Sequence, residues 1–278
     1  MRNALILSTL FAGTMLAAAP AWADDAPAPA PDFTITGGAD VATQYRFRGI
    51  SQSNNKPVFQ GTFTITHKSG FYVSTWGSSA SGNSAVDIGG TEIDVYGGYS
   101  HTFAGFTLDG GVYGYIYPGS PHAFGCLEVN GCKLPSQNYF EVYADASKSY
   151  GPVTAKVGIN FAPNQGIFHS DGFNAAEPTH HNVYVFGELG LSLPNFPISF
   201  HSHVGHTGGG FDYFFGDKPK QYIDYTVGAT YKWKSLSFDA SVVGTNLSKS
   251  DVSPGGFLNV DAHRAAKAAV VGTIGVSF

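Results

Sequence analysis

The sequence predicts an all-β protein that folds as a single closed, antiparallel, up-and-down transmembrane β-barrel of about twelve strands. Three observations predict this fold class: an unusual composition, a two-residue alternation of apolar and polar side chains, and a regular alternation of short and long connections. Only 13% of the 278 residues are charged, whereas a typical soluble domain has about 25%. Glycine is abundant at 36 residues and aromatic residues make up 14%, which disfavours a disordered chain, a coiled coil and a helical bundle. The net charge of −5 argues against a nucleic-acid-binding protein.

The predicted strands are recognised by side chains that alternate between two faces. Between Phe33 and Phe47 the odd positions are mostly apolar, and between Thr34 and Arg48 the even positions are mostly polar. Because successive side chains of a strand point to opposite faces, such a strand has one apolar and one polar face. This run of about 15 residues is longer than the strands of soluble domains, which average about 5–6 residues. The same alternation predicts strands at Phe33–Arg48, Phe59–Thr66, Phe71–Gly77, Glu92–Ser100, Phe106–Tyr117, Phe140–Asp145, Val153–Phe161, Val183–Ser192, Ile198–His206, Asp224–Lys232, Leu236–Val242 and Val270–Phe278.

Short turns and long loops alternate between these strands. The short connections are His67–Gly70, Ala104–Gly105, Tyr150–Pro152, Pro194–Pro197 and Trp233–Ser235. The long connections are Gly49–Lys56, Ser79–Gly90, Pro118–Gln137, Pro163–His181, Thr207–Gln221 and Thr245–Ala265. This alternation is typical of a barrel with short periplasmic turns and long extracellular loops. A sheet in hydrocarbon must close on itself, because each unpaired backbone group there costs several kcal/mol. A secreted β-sandwich is the alternative, and it predicts shorter strands and a more even spread of loop lengths.

The first 32 residues are predicted to lie outside the barrel. Met1–Ala23 has the features of a cleaved secretory signal peptide, with an apolar stretch over Ala4–Ala19 and small residues at Ala21 and Ala23 before the cleavage site. A membrane anchor that is never cleaved is the alternative. Residues 24–32 form an Ala/Pro-rich leader that is expected to be extended. The barrel domain then covers residues 33–278.

The last predicted strand ends in Phe278. A C-terminal strand that alternates and ends in an aromatic residue resembles the signal by which assembly machinery recognises bacterial outer-membrane barrels. Together with the signal peptide, it predicts a protein of the bacterial outer membrane, with lipid around the apolar face and the barrel assembly machinery as a partner. The oligomeric state stays open.

The polar face of the predicted strands carries nine acidic against four basic residues and would face the lumen. The predicted pore-lining residues are Asp40, Arg46, Arg48, Glu92, Asp94, Asp109, Tyr113, Tyr115, Glu141, Asp145, Lys156, Glu188, Asp224, Lys232 and Asp239. Barrels of about 8 strands are filled by side chains and those of about 16–18 strands hold water channels, so about twelve strands predict a narrow lumen. The sequence therefore predicts a porin for passive diffusion of small hydrophilic solutes or ions. Because an acidic lining concentrates cations, this porin is expected to have a weak cation preference.

Two other functions stay open. In the first, lumen acids and bases pair into a network that plugs the barrel and leaves a structural protein. Arg46 and Arg48 could accordingly pair with acids across the lumen or form a constriction. The second is a barrel enzyme that acts at the outer rim, which needs a nucleophile, a base and an orienting group within hydrogen-bond reach. The sequence contains no Gly-x-Ser-x-Gly elbow, and we expect no enzymatic activity and no cofactor.

Cysteine and histidine residues raise the question of a metal site. Cys126 and Cys132 are the only cysteines and fall in the longest predicted loop, where an oxidising compartment favours a disulfide between them. Ten histidines are present, among them His169, His180, His181, His201 and His203. Zinc needs three or four converging ligands, and the spacing of these residues indicates no convergence. We therefore predict a loop disulfide, hydrogen-bonded histidines and no metal site.

Two stretches carry a family resemblance. Thr43–Gln60 reads TQYRFRGISQSNNKPVFQ, and Gly70–Trp76 reads GFYVSTW. They resemble the opening signature of the TorF family of porins, also known as the conserved hypothetical Gcw_chp family of Gram-negative bacteria. The match is close over Thr43–Ser78 and rests beyond it on strand rhythm and length. Thr43-Gln44-Tyr45 stands where the family has Ser-Asp-Tyr, and the cysteine-bearing loop is not a family feature. The resemblance implies an outer-membrane barrel that passes small solutes, and it supplies no substrate and no catalytic residues.

Overall fold

The computed structural model describes residues 31–80, 89–118, 137–168, 179–213, 221–249, 251–252 and 262–278. The predicted signal peptide, most of the leader and the predicted disulfide between Cys126 and Cys132 lie outside these ranges.

Within the described ranges, twelve antiparallel strands form a closed barrel, and the fold-class prediction is confirmed. Numbered along the chain, they are β1 (Phe33–Ala42), β4 (Val58–His67), β5 (Phe71–Ser79), β6 (Thr91–Phe103), β7 (Phe106–Ile116), β8 (Tyr139–Tyr150), β9 (Val153–Ala162), β10 (Asn182–Ser192), β11 (Ile198–Gly209), β12 (Tyr222–Trp233), β13 (Leu236–Thr245) and β14 (Ala269–Ser277). Two short strands, β2 (Arg46–Phe47) and β3 (Ile50–Ser51), pair with each other outside the barrel sheet. A 3-10 turn covers Gly210–Tyr213, and the short helix α1 covers Ala262–Ala266. The described ranges contain no α-helix with the length and hydropathy that crossing a membrane requires.

The barrel closes between its first and last strands. Ala39 of β1 lies opposite Val276 of β14, and the pairing continues to the end of the chain. The amide of Gly37 donates to the carbonyl of Phe278 at 3.1 Å, and the amide of Phe278 donates back to the carbonyl of Gly37 at 3.0 Å. These bonds satisfy backbone groups that an open sheet edge would leave unpaired.

Removing Ile274–Phe278 is expected to prevent the barrel from folding. The truncation would expose the edge of β1, whose unpaired backbone groups cost several kcal/mol each in an apolar environment. Folding can be followed by refolding into detergent, by the heat-dependent shift on denaturing gels and by protease resistance. Phe278→Ala is the control, because it keeps the backbone pairing to Gly37 and should fold. A truncated chain that folds in normal yield would show that this pairing is dispensable.

The two faces of the barrel differ sharply in polarity, as the alternation predicts. Val157 on β9 and Val227 on β12 point outward and are 62% and 61% exposed. Asp94 on β6 and Glu141 on β8 point inward and are fully buried at 0% exposure. Apolar side chains on the outside and polar ones on the inside form the arrangement that a barrel needs in lipid.

The two ends of the barrel also differ. The connections at one end, here called the turn end, are two to five residues long, and those at the other end, the loop end, are longer. The first long connection joins β1 to β4 through residues 43–57 and contains β2 and β3. The residues that open and close the barrel sheet, Phe33 and Ser277, both lie at the turn end.

The prediction that the first strand continues to Arg48 is wrong. β1 ends at Ala42, and Arg46–Phe47 pairs with Ile50–Ser51 in a separate hairpin. The backbone turns at Arg48 and Gly49, which have φ values of 45° and 80°. Such left-handed values favour glycine, and Gly49 has no side chain to oppose them. The polar and apolar order continues through this segment, but its apolar Tyr45 and polar Arg46 are both buried in the hairpin and are not divided between two faces of the barrel wall.

Candidate functional site

The lumen is the candidate functional site, and the structure places the predicted acidic, lysine and tyrosine residues on the inward face of the barrel strands. The buried ones are Asp40, Glu92, Asp94, Tyr113, Tyr115, Glu141, Lys156 and Asp224. The partly exposed ones are Asp109, Asp145, Glu188 and Asp239. Lys232 lies on the same face of β12 but is exposed at the turn end. Arg46 and Arg48 lie on the first long connection. Whether these residues line an open pore stays a prediction.

The connection formed by residues 43–57 folds into the loop end of the barrel, and we call it the lumen hairpin. The β2–β3 pair is completed by a bond from the amide of Gln52 to the carbonyl of Tyr45 at 2.9 Å. The side chain of Ser53 accepts a bond from the amide of Tyr45 at 3.0 Å. Gly49 sits so close to β12 and β13 that an added Cβ would lie 2.6 Å from the carbonyl of Gly244. The hairpin tip therefore fits against the barrel wall only because this position has no side chain.

Arg48 reaches from the hairpin to the far wall of the barrel. Its guanidinium donates to both carboxylate oxygens of Glu141 on β8, each at 2.7 Å. It also lies 4.1 Å from the ring centroid of Tyr184 on β10, a cation–π contact. In the closed order of strands, β8 and β10 lie roughly opposite β1. Of the two alternatives for this arginine, pairing with an acid across the lumen is observed.

Arg46 has a different role, because it bonds to neutral acceptors. Its guanidinium donates to the carbonyls of Gly49 at 2.8 Å and Lys267 at 2.9 Å, and to the side chain of Gln44 at 2.9 Å. These bonds tie the two arms of the hairpin together and join them to the segment that precedes β14. Arg46 is therefore a structural residue of the hairpin.

A layer of aromatic rings packs beside Arg48 and the hairpin. Tyr115 stacks on Tyr139 with ring centroids 4.3 Å apart, and Phe47 of the hairpin meets the edge of Tyr115 at 5.7 Å. Phe168 and Phe211 come from two other long connections and pack edge-on at 4.9 Å. Only Tyr115 among these five was predicted, and the aromatic content of the long connections was the one signal available in the sequence. The layer narrows the loop end of the lumen in the described part of the structure.

Two buried acids lie side by side beneath the hairpin. Glu92 accepts a bond from the hydroxyl of Tyr45 at 3.1 Å, and Asp94 accepts one from the hydroxyl of Tyr113 at 2.8 Å. The second carboxylate oxygen of each acid is buried and has no hydrogen-bond partner among the described residues. A buried carboxyl group without a basic partner is costly, so each of these two acids depends on the tyrosine hydroxyl that donates to it.

The inward face toward the turn end is more open, and we call this part the vestibule. Lys156 pairs with Asp145 at 3.0 Å. His203 lies between two acids, 3.1 Å from Glu188 and 3.2 Å from Asp224. Small hydroxyl residues line much of the remaining wall, and they include Thr62, Thr64, Ser100, Thr154, Ser199, Thr230 and Thr273. Most of these side chains are partly exposed, so the vestibule is polar and accessible to water.

The histidines do not form a metal site in the part of the chain that the structure describes, where no group of three or more His, Cys, Asp or Glu could hold a metal ion. His201 and His203 share the inward face of β11, as the alternation predicts, and each lies near acids. His181 and His180 lie just before β10, and His169 lies outside the described residues.

Comparisons with known proteins show the family and the fold. A family model described as a bacterial protein of unknown function (Gcw_chp) matches residues 26–278, which confirms the Gcw_chp resemblance; the TorF name stays a prediction. No curated protein matches the sequence. A NanC porin is 11% identical with a TM-score of 0.54, and the match covers 88% of this chain and 99% of that porin. An outer-membrane channel from Pseudomonas putida F1 is 12% identical with a TM-score of 0.45, covering 90% of this chain and 96% of that channel. At this identity the likeness to the NanC porin shows the barrel fold alone.

Proposed function

The chain belongs to the Gcw_chp family of bacterial proteins of unknown function, and we propose that it is an outer-membrane porin for passive diffusion of small hydrophilic solutes or ions. The observation that carries the proposal is the division of the barrel into an apolar outer face and a polar inner face. A polar, water-accessible vestibule inside a closed barrel is suited to small hydrophilic solutes and not to apolar ones. The barrel fold shared with the NanC porin agrees with an outer-membrane location.

The charge of the lumen supports a weak cation preference. The residues predicted to line the lumen include nine acids and four bases. Two of the bases are paired with acids, Arg48 with Glu141 and Lys156 with Asp145, which leaves seven acids (9 − 2) and two bases (4 − 2) outside these pairs. A surplus of acids in a low-dielectric wall raises the local concentration of cations.

A plugged structural barrel is the second candidate, and one observation favours it. At the loop end, Tyr115 and Glu141 are 1% and 0% exposed, because the lumen hairpin and the aromatic layer cover them. A permeating solute would have to pass this region, so the same contacts that narrow the lumen could close it.

An enzyme is less well supported by the described residues. The nearest approach to a catalytic group is Ser241 with His201 and Asp239 on the vestibule wall. The hydroxyl of Ser241 donates to Asp239 at 2.6 Å, and both Ser241 and Asp239 approach the same nitrogen of His201, at 3.0 Å and 3.6 Å. In a catalytic triad the acid contacts the other ring nitrogen and leaves the serine proton to the histidine. This arrangement therefore lacks the order that nucleophilic catalysis requires.

Liposomes and planar bilayers that contain the purified protein test the proposal. We expect permeation of small neutral solutes and a reversal potential that indicates cation preference under a salt gradient. Asp109→Asn in the vestibule should lower that preference, whereas Asp32→Asn should not, because Asp32 is exposed outside the lumen and pairs with Lys68. A wild-type protein that passes no solute would leave the plugged barrel as the better description, and clear anion preference would exclude the acidic-lining argument.

A further inference from the structure

We propose that the lumen hairpin is the constriction that sets the size limit of the channel, and that it can leave the lumen without disrupting the barrel wall. The Arg48–Glu141 ion pair holds the hairpin in place across the lumen. This inference rests on the proposed diffusion function, because it identifies the part of the barrel that limits it. It assigns to residues 43–57 a role that is separate from the folding of the barrel wall.

The hairpin touches the wall on several sides, as a constriction must. Tyr45 bonds to Glu92 on β6, and Phe47 packs on Tyr115 of β7. Arg48 bonds to Glu141 on β8, and Gly49 lies against β12 and β13. A segment anchored to strands on opposite sides of the barrel lies across its mouth.

The hairpin is nevertheless not part of the barrel sheet. Its two strands pair with each other, and the barrel ladder continues beneath it without interruption, since Ala42 of β1 pairs directly with Val58 of β4. It is held mainly by side chains, and Arg48 makes the contact that reaches farthest across the lumen. The hairpin could therefore leave the lumen while the twelve barrel strands stay paired.

The Arg48–Glu141 contact is suited to hold the hairpin against the opposite wall. Both side chains are buried, at 5% and 0% exposure, and a single guanidinium nitrogen, Nη2, donates to both carboxylate oxygens at 2.7 Å. Charge-assisted hydrogen bonds of this kind are shorter and stronger than bonds between neutral groups. Tyr184 and Phe47 lie against the guanidinium and restrict its orientation. Loss of the arginine would remove the anchor that spans the lumen and leave the barrel wall unchanged.

The experiment compares channel size in variants of the full-length protein in planar bilayers and in liposome-swelling assays with polyethylene glycols of increasing size. In the first variant a two-residue Asn-Gly turn replaces residues 43–57, which is feasible because Ala42 and Val58 already face each other as the last pair of a hairpin. The second variant is Arg48→Ala. Its matched control is Lys68→Ala. This substitution removes a positive charge from an ion pair with Asp32 outside the lumen, and the Lys68 side chain is 64% exposed. A charge swap, Arg48→Glu with Glu141→Arg, tests whether the pair itself is required.

We expect the shortened variant to conduct at least about twofold more than wild type and to pass larger glycols, because conductance follows the open cross-section. Arg48→Ala should also raise the conductance and the size of the largest glycol that passes, but by less than the shortened variant. Lys68→Ala should match wild type in both quantities. The charge swap should bring both quantities back toward the wild-type values. Heat-dependent gel shifts confirm that each variant is folded, and the shortened variant decides the question if Arg48→Ala does not fold.

Equal conductance and equal size limits in wild type and the shortened variant would overturn the proposal. If both conduct, the diffusion function stands and the hairpin is not its constriction. If neither conducts, the diffusion function is overturned as well. If only the shortened variant conducts, the hairpin is the constriction and the wild-type barrel is a closed one.

Discussion

Replacing Glu141 with alanine is expected to lower the free energy of unfolding by about 3–5 kcal/mol, because it leaves a buried guanidinium without its counter-charge. Glu141 is fully buried and accepts both bonds of Arg48. It also accepts a bond from the hydroxyl of Tyr115 at 3.1 Å and one from the amide of Asn160 at 3.0 Å. The substitution would therefore leave three side chains without a shared acceptor, and each buried donor that loses its partner adds to the cost.

Urea unfolding of the barrel in lipid vesicles or detergent micelles measures this effect. Asp239→Ala is the control, since Asp239 is an inward acid whose side chain is 23% exposed; water can reach the hydroxyls of Thr230 and Ser241 that donate to it, so we expect a cost of less than about 1 kcal/mol. Removing both charges, by Arg48→Met with Glu141→Leu, should recover most of the stability, because no unpaired charge stays buried. If Glu141→Ala were as stable as Asp239→Ala, the ion pair would not hold the hairpin in the lumen.

Replacing Val157 with arginine is expected to cost about 2–4 kcal/mol in lipid vesicles, the penalty for a cationic side chain on the lipid face near the middle of a barrel. Val157 points outward from the centre of β9, where it lies opposite Gly187 of β10 and Ala146 of β8. It is already 62% exposed, so the substitution disturbs no packing inside the protein. Any large loss of stability must therefore come from the surroundings of the barrel.

Phe196→Arg is the matched control for this experiment. Phe196 is 67% exposed but lies in the turn between β10 and β11, at the edge of the barrel. We expect its replacement to change the unfolding free energy by about 0–1 kcal/mol, because the penalty falls toward the interface. The unfolding free energies of the two variants, measured by urea titration, show whether the outer face of the barrel contacts lipid or water. If both variants were equally stable, the apolar face would be facing water, and the proposal of an outer-membrane protein would be wrong.

The barrel wall could be predicted from the sequence because the facing of a side chain in a strand depends on its immediate neighbours. Lys156 and Val157 point to opposite faces whatever the rest of the chain does, and the sign of each face follows from polarity. The short turns and the pairing of consecutive strands are equally local. For this reason the twelve strands and the facing of acids such as Glu92 and Asp109 could be predicted, and closure through β14 followed from the need to leave no open sheet edge in hydrocarbon.

The interior of the loop end could not be predicted, because its contacts join residues far apart in the chain. Arg48 and Glu141 are 93 positions apart, and the aromatic layer combines Phe168 and Phe211 from separate loops. The alternation rule even extends the first strand through Arg48, since the polar and apolar order continues through the hairpin. Whether that segment lengthens the wall or turns inward depends on its contacts with distant residues, such as the bond of Arg48 to Glu141, and the local pattern does not contain these contacts.

Alternation of polarity along the chain was therefore enough to predict the wall and its two faces, since these follow from neighbouring residues, and closure followed from the cost of an open sheet edge in hydrocarbon. The three-dimensional structure alone established that residues 43–57 cross the lumen, because the ion pair to Glu141, the ring contacts and the fit of Gly49 against Gly244 exist only once distant strands have been brought together.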